Sequence, residues 1–226
     1  MLLLSATVWD GVYTSDQALR GSELFAGKCQ GCHNYESLGG PESLPLKGPQ
    51  FFERWREYSL DVFFNAMSTT MPKRADALPE NEYLDILAYL LQANEFPAGT
   101  AALQKAGLSG IQLTGRNGPQ PLPSTASVRA VGCLSAGANG AWNLSNATGL
   151  IRIRNAEETS PADLKAAAAA APGTQTYVLR GLDQIARFGP DAHKGEKLQV
   201  QGVLSRQGTV ERINVLSVEV VGRKCS

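Results

Sequence analysis

Cys29-Gln30-Gly31-Cys32-His33 is the stretch of this sequence whose residue types and spacing declare a chemistry. Two thiols at this spacing can add across the two vinyl groups on one edge of a porphyrin, since a single turn of backbone reaches neighbouring pyrroles. The adjacent imidazole then falls beneath the ring and offers iron its proximal nitrogen. Gly31 leaves room for the macrocycle edge. The spacing predicts one covalent haem c held by Cys29, Cys32 and His33. Two other chemistries use a Cys-x-x-Cys pair. A thioredoxin-type dithiol sits between a strand and a helix, and nothing before Cys29 reads as a strand. A structural zinc needs two further ligands at matching spacing, and the chain has one other histidine, His193. His193 lies in a polar turn and reads as a solvated loop residue.

The elements that must position this loop are helices. Thr14 followed three residues later by Gln17 is a capping-box pattern. Leu19, Leu24 and Phe25 then give an amphipathic helix running into Cys29. Gly21 on that helix costs stability unless another backbone must come close. A second helix is predicted from about 80 to 94, after Pro79, with Tyr83, Ile86, Leu87, Leu90 and Leu91 on its apolar face and Pro97 and Gly99 ending it. The two helices are expected to cross with Gly21 and Phe25 against Leu87 and Leu90. Leu60, Val62, Phe63, Phe64 and Met67 predict a further helix between them.

Taken together, the first hundred positions resemble a class I cytochrome c, of the variety that accompanies quinoprotein (pyrroloquinoline-quinone) dehydrogenases. The resemblance rests on Gly21-x-x-x-Phe25, Cys29 to His33, Gly48-Pro49, Trp55, Met71-Pro72 and Tyr83 to Leu90, with the opening Val8-Trp9-Asp10-Gly11-Val12-Tyr13 similar as well. It implies an all-α haem domain over 1–104. It also implies a sixth iron ligand from a methionine before the last helix. Met1 is terminal, which leaves Met67 and Met71. Met71 precedes Pro72, which ends a helix and fixes a turn, whereas Met67 falls in an apolar helical pattern, so Met71 is the expected ligand. In the family, Pro49 matches a position whose carbonyl holds the other imidazole nitrogen, and Trp55 one whose indole reaches a haem propionate. A turn proline and a plain core tryptophan are the simpler roles for these two.

Gly, Pro, Ser and Thr crowd the stretch 105–127, which reads as a semi-rigid linker. Beyond it the pattern turns to strands, predicted near 128–134, 141–144, 176–182, 197–205 and 210–221. One helix interrupts them, capped by Ser160, opened by Pro161 and stopped by Pro172-Gly173. The expected architecture is therefore multidomain: an all-α cytochrome c domain, then a small mainly-β domain with one helix over 128–226. Lys194-Gly195-x-x-Leu198-x-Val200-x-Gly202 makes that second domain similar to bacterial OB-like barrels. Cys133 and Cys225, far apart in a chain read as exported, suggest a disulfide; two free thiols are the alternative.

The chain carries 21 acidic and 21 Lys or Arg residues, but unevenly. Met1–Thr100 holds 13 acidic against 7 basic, and Ala101–Ser226 holds 8 against 14, for net charges of −6 and +6. Such asymmetry can steer partners of opposite sign to the two halves. Nucleic acid is not expected as a partner, because Trp142, Tyr177 and Phe188 are the only aromatics of the basic half. No apolar run approaches the roughly 20 residues of a membrane span. Met1 to Ala6 reads as the tail of a truncated export signal, and haem attachment places the protein in the periplasm or outside the cell. The expected function is single-electron transfer without bond chemistry on a substrate. The expected partners are redox proteins: a quinoprotein-type dehydrogenase as donor, and a terminal oxidase or another cytochrome. The competing reading is a haem enzyme or gas or redox sensor with an open sixth position.

Overall fold

The structure, a computed structural model, describes residues 6–34, 38–39, 43–72 and 77–225. Most of the expected leader remnant, Met1 to Ser5, lies outside the described residues. The chain forms two compact units, Met1–Gln120 and Pro121–Ser226.

The first unit is built on four helices: α1 (Ser15–Lys28), α2 (Gly48–Trp55), α3 (Leu60–Thr70) and α4 (Glu80–Ala93). Thr14 caps α1 by accepting from the Gln17 backbone amide. The expected reciprocal bond is not made, because the Gln17 side chain is buried and turned inward. Its amide donates to the Leu103 carbonyl at 3.1 Å and accepts from the Leu103 amide at 2.8 Å. The long apolar runs of α3 and α4 put Phe63, Phe64, Ile86, Leu87, Leu90 and Leu91 into one core with Phe25 and Phe51. Helix α2 was not among the expected elements; Pro49 stands in its first turn, where a proline ring costs no hydrogen bond.

Where a linker is expected over 105–127, residues up to 120 belong to this first fold. A 3₁₀ turn over Lys105–Gly110 leads into strand β2 (Ile111–Gln112), which pairs in parallel with β1 (Ala6–Thr7). Leu108, Ile111 and Leu113 are buried in the helical core. Trp9 Nε1 donates to the Thr114 carbonyl at 2.9 Å, and the buried Glu57 carboxylate accepts from Thr114 Oγ1 at 3.1 Å and Gln120 N at 3.0 Å. The apolar residues spaced among the glycines are what a linker reading overlooks. Leu122 and Ala126 in turn are buried in the core of the second unit.

That unit is mainly β. Its strands are β3 (Ser127–Ala136), β4 (Trp142–Ala147), β5 (Ile151–Arg152), β6 (Gln175–Arg180), β7 (Lys197–Gln207) and β8 (Val210–Gly222), with α5 (Pro161–Ala169) between β5 and β6. β3 pairs antiparallel with β4 and β7, β7 with β8, and β4 with β6, while β6 and β8 run parallel. The ring of pairings β3-β4-β6-β8-β7-β3 therefore closes. Gly202 sits where the β7–β8 register shifts, and a side chain there would lie 2.1 Å from the Asn214 carbonyl oxygen. Only glycine lets the strands bend so closely at that bulge. Val128, Leu134, Leu144, Leu179, Leu198, Val200, Leu204 and Ile213 fill the interior. The alternating Gln199 and Gln201 are not solvated as their polarity suggests. They are buried beneath the chain leading to α5, where Gln201 Nε2 donates to the Glu158 carbonyl at 3.3 Å and also bonds Thr159.

Cys133 and Cys225 form a disulfide with Cα atoms 5.6 Å apart, closing a separation of 92 residues. Such a closure stabilises by about 4–5 kcal/mol in the chain-entropy account. His193, expected as a solvated loop residue, is instead half-buried: it stacks on Phe188 at 4.6 Å and pairs through Nδ1 with Glu196 at 2.6 Å. No helix among the described residues is long and apolar enough to cross a membrane.

Candidate haem site

Helix α1 delivers the signature to its place. Cys29 N and Gln30 N both donate to the Phe25 carbonyl, at 2.9 and 3.0 Å, which ends the helix in a tight turn. Cys32 N and His33 N then both donate to the Cys29 carbonyl, at 3.1 and 2.9 Å. This second turn folds the loop so that His33 follows Cys29 by one helical repeat. Cys29 is half-buried, Cys32 is exposed, and neither forms a disulfide. His33 is only 8% exposed, its ring 6.4 Å from that of Phe25. Phe25 in turn lies 5.4 Å from the Tyr89 ring of α4.

The electrostatics separate the possible chemistries. Burial, and then the neighbouring Cys32, push the Cys29 thiol up to about 11. A redox dithiol works through a lowered thiol pKa, so the shift runs against thioredoxin-type chemistry. Among the described residues no group of three or more His, Cys, Asp and Glu is placed to hold a metal ion. Two unpaired cysteines beside a buried imidazole are the donor set that haem c requires, and the residues present fit that group.

Met71 caps the C-terminus of α3 with extended backbone and is half-buried. Met67, one turn earlier, packs against the apolar core. Of the two, Met71 is the one that has left the helix. Its carbonyl, past the end of the helical ladder, accepts from Tyr83 Oη at 2.6 Å. The same hydroxyl accepts from Leu78 N at 3.1 Å. Tyr83 first reads as one more apolar position of α4. The signal that could have revealed it is a tyrosine where a leucine would pack, because a buried phenol seeks a partner.

Trp55 is buried against Phe63, with ring centroids 4.6 Å apart, and Tyr58, at 6.2 Å. Pro49 is exposed. A second residue missed in the sequence is Asn94, the C-cap of α4. Its side chain accepts from Gly48 N at 3.0 Å and donates to the Leu46 carbonyl at 2.9 Å, fixing the segment that precedes α2. The expected α1–α4 crossing exists. The atoms nearest Gly21 are the Asp85 carbonyl and Tyr89 Cβ, while Phe25 shares one core with Leu87 and Leu90. Arg20, one position earlier, adds two bonds to the Asp85 carboxylate, at 2.8 and 3.0 Å.

Residues 16–90 match the family described as "Cytochrome C oxidase, cbb3-type, subunit III". The match spans α1, the Cys29–His33 loop and most of α4. The chain is also similar to the "Cytochrome bc1 complex cytochrome c subunit" of Corynebacterium diphtheriae, with 36% identity over 100 residues, 42% of this chain and 34% of that protein. The first unit contains a cytochrome c domain. Haem c is the cofactor such a domain implies, and electron transfer is the activity of its kind. The chain spans about a third of the length of the curated relative it matches. No solved structure matches the chain.

Proposed function

We propose that this protein is a monohaem electron carrier working outside the cytoplasm. Cys29 and Cys32 would tether the macrocycle, and His33 and Met71 would offer iron a nitrogen and a sulfur ligand. A haem held there would supply reversible one-electron chemistry between Fe(III) and Fe(II). The observation that carries the reading is the buried His33 set one turn after Cys29, with both thiols unpaired and Cys32 accessible for attachment. The Met71 thioether favours the ferrous state and holds the potential high enough to accept electrons from a donor. Pro49 and Trp55 keep their family roles as proposals, toward the His33 imidazole and a propionate.

The barrel of the second unit we read as OB-like. Numbering its five ring strands in chain order gives 1-2-3-5-4, with strands 3 and 5 parallel, which supports that reading; we assign it to docking or assembly. For the donor, the sequence resemblance favours a quinoprotein-type dehydrogenase, while the relative's name favours a bc1-type assembly. Reduction assays against each separate the two.

Intact-mass measurement on protein matured in a host with haem-attachment machinery tests the core of the proposal. The expected mass exceeds the polypeptide by one haem, with a sharp reduced α band. A bare polypeptide would remove the redox assignment altogether.

A further inference from the structure

We infer that Tyr83 is the positioning residue that holds Met71 on the iron. The inference rests on the proposal that Met71 is the sixth ligand. Its basis is geometric. Met71 and Leu78 bracket the chain between α3 and α4, and one hydroxyl bonds both: Tyr83 Oη donates to the Met71 carbonyl at 2.6 Å and accepts from Leu78 N at 3.1 Å. The ring carrying that hydroxyl is 3% exposed and set at 79° to Phe64, 6.3 Å away. Tyr83 lies in the first turn of α4, a helix anchored to α1 through Gly21 and Asp85. The clip therefore ties the backbone of the sulfur-bearing residue to the same helix pair that carries the cysteines and His33.

A thioether is a weak ligand on a flexible side chain, and what keeps it on iron is the small number of places its backbone can go. A buried hydroxyl is poorly replaced by water, so removing it releases the Met71 carbonyl and leaves Leu78 N without that acceptor. The Met-bound population then loses part of its advantage over the Met-free one. At the usual net strength of a hydrogen bond, the shift is about tenfold. An added ligand that must displace Met71 reads this directly, because its apparent affinity scales with the fraction already open.

The test uses the full-length holoprotein in its ferric form, with imidazole as the competing ligand. Tyr83→Phe is expected to raise apparent imidazole affinity about tenfold and to lose the far-red methionine-to-iron band at a lower temperature. The mass increment of one haem and the reduced α band should stay as in the parent. Phe64→Leu disturbs the packing of the same ring but keeps the hydroxyl. It is expected to lower the melting temperature while leaving imidazole affinity near that of the parent. If Tyr83→Phe binds imidazole like the parent while Met71→Ala binds it far more tightly, Met71 is the ligand and the role of Tyr83 is overturned. If Phe64→Leu matches Tyr83→Phe in affinity, general loosening explains both, which also overturns it. If Met71→Ala changes neither the far-red band nor imidazole binding, the methionine ligand itself is wrong and the inference falls with it.

Discussion

Gly21 of α1 meets the backbone of Asp85 so closely that a β-carbon at Gly21 would stand 1.9 Å from the Asp85 carbonyl oxygen and 2.9 Å from Tyr89 Cβ. No rotamer change relieves contact with a backbone atom, so a larger residue must push the helices apart. Gly21→Ala is expected to destabilise the haem domain by about 1–3 kcal/mol through overpacking, more than the helix propensity alanine returns, about 1 kcal/mol at most. Gly27 on the same helix has nothing within 4 Å of its would-be β-carbon, so Gly27→Ala should be neutral or slightly stabilising. Thermal melts of the two variants, followed by circular dichroism, check the contrast.

Met67 and Met71 are separated by one turn and should behave differently. Met71→Ala is expected to abolish the far-red band and lower the midpoint potential by a sizeable part of the roughly 0.8 V that axial ligands span. Met67→Leu is a near-isosteric core change, costing less than about 1.5 kcal/mol and leaving both spectrum and potential in place. Redox titration with optical detection reads the pair. The opposite pattern would move the ligand to Met67.

The parts that were legible in the sequence are those in which a local rule decides. Spacing alone singles out Cys29, Cys32 and His33 for the proposed haem, and the Thr14 and Ser160 caps start their helices where their patterns predict. Alternation in β7 and β8 marks strands, because interior positions repeat every second residue. Tertiary demands were not legible. Gln17 looks like a capping partner and instead bonds Leu103, 86 positions away. Gln201 looks solvated and instead lies under the chain before α5. Helix α5 ends at Ala169 although the alanine run continues. Lys197, from a distant strand, takes the Ala168 and Ala170 carbonyls at 2.9 and 2.6 Å.

The stretch after α4 makes a boundary prediction. A chain ending at 104 removes Leu108, Ile111 and Leu113 from the helical core and takes away the hydrogen-bond partners of Trp9 and Glu57. Each lost apolar side chain is worth about 1.5–3 kcal/mol, which together rivals the whole stability of a small domain, about 5–15 kcal/mol. Residues 1–104 are expected to yield little haem-bearing protein, and residues 1–120 to yield a spectrum like that of the full chain. Equal yields from both would show that 105–120 contributes nothing to the fold.

The Cys133–Cys225 bond closes most of the second unit, so Cys225→Ser with Cys133→Ser should cost it about 4 kcal/mol. The two units have separate cores, and the haem spectrum should not respond. Denaturant unfolding followed by Trp142 fluorescence, beside haem absorbance, separates the two events.

Asp163 gives the second unit a pH signature. Burial raises its pKa, but hydrogen bonds from Arg129 and Ser160 together with the Arg129 charge outweigh that and hold the carboxyl below its ordinary 3.8. The folded pKa is thus lower than the unfolded one. The charged carboxylate stabilises fully above the unfolded value, and the contribution disappears as pH falls through the folded value. It is modest, about 1 kcal/mol or less, because the side chain is partly solvated. Asp163→Asn should lower stability at pH 7 and flatten the acid limb of the unfolding curve below the ordinary carboxylate value of 3.8. Arg129→Met removes the same partner from β3 and should produce the same flattening. If Arg129→Met leaves the acid limb as steep as in the parent, the ion pair does not set this dependence, and the Ser160 cap alone would have to account for it.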